Sequence, residues 1–126
     1  MSTQKTAFLF LDLYMTEAEI AQIEQFLKHA EAQMMQAEFA DTEGKEALFV
    51  EAKDQLIRAE KIMPGSGAWL MSCIHARTNN GEMCVRWLER ARKSSMLPDT
   101  ETILNHAHFS EVVTEKWFFA WLKSGQ

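Results

Sequence analysis

From Ile20 onward, apolar residues return every three or four positions. Ile20, Ile23, Phe26, Leu27, Ala30, Met34, Ala37 and Phe39 form the first series, the spacing that lines one face of a helix. Ahead of it Thr16 and Glu19 stand in capping-box order, so the spacing predicts a helix from there to about Ala40. Asp41-Thr42-Glu43-Gly44 reads as a turn. A second series, Ala47, Leu48, Val50, Ala52, Leu56, Ile57, Ala59 and Ile62, stops at Pro64-Gly65-Ser66-Gly67. A third helix is predicted from about Ala68 to Arg77, ending at Thr78-Asn79-Asn80-Gly81. A fourth runs from Glu82 to about Ser94 and carries Met83, Val85, Trp87, Leu88 and Ala91. Pro98 and Asp99 open a short helix, and Glu115 to Lys123 form an aromatic one with Trp117, Phe118, Phe119, Trp121 and Leu122. Only the apolar run Phe8 to Met15 is too short to classify by period. It reads as a short helix or an extended arm.

This order predicts an all-α chain, because helices joined by such short breaks pack as antiparallel hairpins. Composition agrees: 47% of the 126 residues are hydrophobic and 25% charged, with five glycines and two prolines, too few breaks for a many-stranded sheet. We divide a single domain, 1–126, into an N-terminal arm (1–15), a long helical hairpin (16–64), a helix-turn-helix unit (65–98) and a C-terminal tail with a capping helix (99–126).

An internal repeat adds to this. Ala52, Leu56 and Ala59 are followed 32 positions later by Cys84, Leu88 and Ala91, and each set is followed by a proline, Pro64 or Pro98. Small residues let two helices approach, the large one fills the gap, and proline ends the hairpin. With Met71-Ser72 and His75 on the preceding helix, residues 68–98 resemble a tetratricopeptide (TPR) repeat. The likeness extends over 44–122, since Ile103-Leu104-Asn105-His106, Phe109, Val112 and Trp117-Phe118 resemble the tail after the last repeat of small bacterial TPR proteins. The resemblance implies a short right-handed array that binds proteins in the groove lined by the first helix of each pair. On that register the partner-binding residues are Ser66, Trp69, Cys73, Ala76, Arg77 and Asn80. The Lys and Asn clamp with which some TPR domains hold a carboxylate terminus is missing at these positions.

Charge and candidate chemistry narrow the function further. The net charge of −5 argues against nucleic acid, and Arg86, Arg90, Arg92 and Lys93 share their helix with Glu82 and Glu89, as on a solvated face. Cys73 and His75 lie two apart, roughly 200° around a helix, so they are poorly placed to share an ion. Eight methionines suit an adaptable core or binding surface. No phosphate loop, nucleophile elbow or His-Glu-x-x-His occurs, so no enzyme, metal or cofactor is expected. The two cysteines and the lack of a leader or membrane span point to the cytoplasm. The expected function is an adaptor or accessory protein that holds a peptide or helix of another protein. A homo-oligomer through the N-terminal apolar segment is a second contact. The alternative is a helical bundle that binds a metal or haem through Met, His or Cys. Trp87 is expected against the aromatic tail.

Overall fold

The computed structural model describes residues 15–125, which hold six α-helices, one 3₁₀ turn and no strand. The apolar Phe8–Tyr14 segment lies outside them. The helices are α1 (Glu17–Ala37), α2 (Thr42–Ile62), α3 (Ala68–Arg77), α4 (Gly81–Lys93), α5 (Thr100–Leu104) and α6 (Lys116–Ser124), with the 3₁₀ turn at Ala107–Phe109. No helix of the described residues is long and apolar enough to cross a membrane.

Helix α1 starts on the capping box. The Glu19 amide donates to Thr16 Oγ1 at 3.1 Å and the Thr16 amide to Glu19 Oε1 at 3.0 Å, which satisfies two donors that a helix start leaves free. The helix ends at Ala37, earlier than the apolar series suggests, so Phe39 falls in the turn and is 89% exposed. Asp41-Thr42-Glu43-Gly44 is a helix start instead of a turn, because the Asp41 carboxylate accepts from the Gly44 amide at 2.8 Å. Ile23, Leu27, Ala30, Met34 and Ala37 of α1 then join Phe49, Ala52, Leu56 and Ala59 of α2 in the core. The alanines let the two backbones approach, and Leu56 fills the space between.

The break between α2 and α3 is held by one buried carboxylate. Glu60 accepts from the amides of Gly65 (2.9 Å) and Gly67 (2.7 Å) and pairs with Arg90 Nε of α4 at 2.5 Å. Gly67 is needed for closeness, since a Cβ there would sit 2.8 Å from the Leu56 carbonyl oxygen. Asn79 turns the chain at φ 51°, and the Asn80 amide closes α3 by donating to His75 O at 2.8 Å. Asn80 Oδ1 then caps α4 through the Met83 amide.

Helices α1 and α3 run in the same direction. Leu27 and Glu31 of α1 border the same groove as Trp69 and Leu70 at the start of α3, while Glu38 just past the end of α1 pairs with Arg77 at the end of α3. The two triplets of the internal repeat are all core residues. Ala52, Leu56, Ala59, Cys84, Leu88 and Ala91 are each 0% exposed.

After Ser95 the chain folds back on α3 and α4. Phe109 stacks on Trp69 of α3 with ring centres 5.4 Å apart and planes 5° from parallel. Phe118 meets Phe109 at 5.8 Å, and Trp121 meets Phe118 at 5.9 Å. Trp121 Nε1 donates to Glu89 Oε1 of α4 at 2.7 Å, while Arg92 lies over its ring. The tail therefore docks on Trp69 of α3 and through its own Trp121 on α4, while Trp117 lies against Gly81 at the start of α4. Trp87, expected beneath this tail, carries Arg90 over its ring and borders a shallow cleft on the outer face of α4.

Candidate functional site

Where α1 and α3 stand side by side, the segment 95–106 crosses beside them and leaves a groove of about 600 Å³. Leu27 and Glu31 come from α1, Ser66 from the break before α3, and Trp69 and Leu70 from the start of α3. Met96, Leu97, Pro98, Asp99, Thr102 and His106 form the opposite wall. Its volume falls within the usual range for sites that take small molecules or single anchoring side chains.

Two features give this groove chemistry. Trp69 is only partly buried, although Phe109 covers one face of its indole and His106 meets its edge at 5.3 Å. Ser66 is 8% exposed, and its enclosed hydroxyl has no hydrogen-bond partner among the described residues. The Glu60 carboxylate is taken by the flanking amides of Gly65 and Gly67, and the Ser66 amide donates to Met63 O at 3.1 Å. The turn thus satisfies its backbone and leaves the hydroxyl over. A buried polar group in that state costs about 1–3 kcal/mol.

The electrostatics of the rim are acidic. The Thr102 amide donates to Asp99 at 2.7 Å, and this bond holds the Asp99 carboxyl below its ordinary range. Burial pushes His106 down from its usual value. Burial, then His106, then Arg77 push His108 down to about 4. Both rings are neutral at neutral pH. Glu31 and Asp99 border the groove, and among the described residues no Lys or Arg does.

The six residues expected in one groove are divided by the structure. Ser66 and Trp69 line it. Cys73 and Ala76 are inside the core at 0% and 1% exposure, because α1, α2, α4 and the tail close around α3 and bury every residue from Met71 to Ala76. Arg77 sits at the far end of α3, paired with Glu38, and Asn80 is an exposed helix cap. Sequence reasoning missed the contributions of Leu27, Glu31, Leu97 and Thr102. One signal was available. Met96-Leu97-Pro98 is an apolar triplet in a break between helices, where no helix face claims it.

Other candidate chemistry is absorbed by packing. Cys73 is pushed well up by burial and then by Cys84, while burial pushes Cys84 up to about 12, so both thiols stay protonated and unreactive. Cys84 Sγ lies 3.3 Å from the Ser72 carbonyl oxygen. His75 is buried with its pKa lowered, by burial first and then by Lys53 of α2. Met34 is core at 2% exposure, and Met35 beside it is 67% exposed. Among the described residues no three of His, Cys, Asp and Glu gather as metal ligands. On α4, Arg86, Arg90 and Arg92 are paired with Glu82, Glu60 and Glu89.

Compared with known proteins, the chain matches no family model, no curated protein and no solved structure.

Proposed function

We propose that this chain is a TPR-like, non-catalytic adaptor or accessory protein of the cytoplasm, which holds a segment of a partner protein in the groove beside Trp69. The observation that carries the reading is the groove itself, with a partly buried tryptophan and an unpartnered serine hydroxyl in its wall. Tryptophan is among the residue types that dominate binding energy at interfaces. Two further features support a right-handed TPR-like array capped by α6. Helix α1 packs on α2 and α3 on α4, α1 and α3 run in the same direction, and all six residues of the two repeat triplets are buried.

The test uses a variant that fills the groove without touching the core. Thr102 has an exposed side chain, and the capping bond to Asp99 comes from its backbone amide, with its hydroxyl as a second, weaker partner, so Thr102→Trp obstructs the groove and keeps the backbone cap. Affinity purification from cell extract with the wild type and with Thr102→Trp should give a partner retained by the first and lost by the second. Identical sets of bound proteins would remove this reading.

A further inference from the structure

Resting on that reading, we infer that the groove selects a polypeptide segment in which an apolar side chain stands next to a positive charge, from Lys, Arg or a free α-amine. Trp69, Leu70, Met96 and Leu97 offer the apolar surface for the anchor. The charge is set by the rim. Glu31 on α1 and Asp99 ahead of α5 come from two different elements, and among the described residues no Lys or Arg lines the groove to neutralise either.

The groups facing this rim leave its sign unchanged. His106 is held neutral by burial. Arg77 belongs to Glu38 at the other end of α3, beyond the groove. The net charge of −5 draws a basic segment in over longer distances. An acidic segment would face repulsion on approach and would bury a carboxylate beside two others. Ser66 lines the same groove and is more than nine-tenths buried, with its hydroxyl enclosed beneath the surface. Acidic walls on both sides of an apolar cleft thus read one short feature of the partner: charge beside hydrophobe.

The probe is a phage-displayed library of random peptides, selected on the full chain. Enriched peptides should carry Lys or Arg beside an aliphatic or aromatic residue and should lose binding to Thr102→Trp. The double variant Glu31→Gln, Asp99→Asn removes both charges. Asn keeps the helix cap, so the fold is retained, and affinity should fall about fivefold, the effect of two rim ion pairs. Raising ionic strength from about 0.01 M to about 1 M, which cuts the screening length about tenfold, should weaken the same peptides. Peptides that need the groove but lack a cation, or that ignore the double variant, overturn the charge assignment and leave groove binding standing. A selection with no peptide sensitive to Thr102→Trp, or a groove filled by a second copy of the chain, overturns both.

Discussion

In the α1–α2 hairpin each helix is 21 residues long and carries its own start signal, Thr16 or Asp41. The chain after Ser95 has helices of five and nine residues and a 3₁₀ turn of three. Isolated helices shorter than about 12–15 residues are marginal in water, so the second region owes its form to what it docks on. The hairpin is held by apolar residues at helical spacing, with alanines where the backbones approach. The tail is held by an aromatic chain, Trp69 to Phe109 to Phe118 to Trp121, and by polar ties at Glu89. The comparison matters for the groove, because one wall belongs to each region. Its shape depends on the less self-sufficient one.

The largest effect should come from removing the tail's central ring. Phe109 is 0% exposed, and Phe109→Ala is expected to cost about 3–5 kcal/mol. The tryptophan fluorescence of the tail should then change at a lower denaturant concentration than the far-ultraviolet helix signal. In Leu56→Ala, a hairpin change costing about 2–5 kcal/mol, the two signals should move together. Coincident transitions in both variants would mean that the regions are equally self-sufficient.

Next in size is Glu60→Ala at the junction between α2 and α3. It strips a partner from two glycine amides and from Arg90, and about 2–4 kcal/mol should be lost in urea unfolding. Glu60→Gln keeps one acceptor and should lose less. If the two variants are equally stable, the carboxylate is not what holds the break.

Acid should separate the regions by a gentler route. His106 and His108 in the tail and His75 under α2 are held below their ordinary pKa by burial, His108 down to about 4. Below about pH 6.5 the unfolded chain binds protons that these folded rings refuse, so stability is complete above that pH and falls as pH drops toward 4. Thermal melts at about pH 7.5 and about pH 5 should show the loss, and His108→Asn should reduce it. An unchanged pH slope in that variant would take His108 out of the account.

The smallest effect is expected at the tie between hairpin and α3. Arg77→Gln leaves Glu38 without its partner, and both are partly exposed, so about 0.5–1 kcal/mol should be lost in urea unfolding. Binding of a segment in the groove should be indifferent to that change, since the pair lies away from the groove.

Much of the fold was legible because helix signals are local. The spacing of Ile23, Leu27, Ala30 and Met34 marks a buried face wherever the helix sits, and Thr16 with Glu19 marks its start. The repeat triplets could be read as core for the same reason. Ser66 and Trp69, named from the sequence, border the groove because they follow directly on the Pro64-Gly65 break that positions them. Cys73 and Ala76 were placed on an open inner face and lie in the core instead. Periodicity says which side of a helix is apolar, but it does not say how many neighbours will cover the remaining sides. That number was decided when the tail folded back and Phe109 stacked on Trp69, and a helix as short as α5 carries too little pattern to announce it. The sequence by itself determined helices, breaks and the core of two hairpins. Only the tertiary structure decided where α3 stays uncovered, because that depends on contacts between residues about forty positions apart.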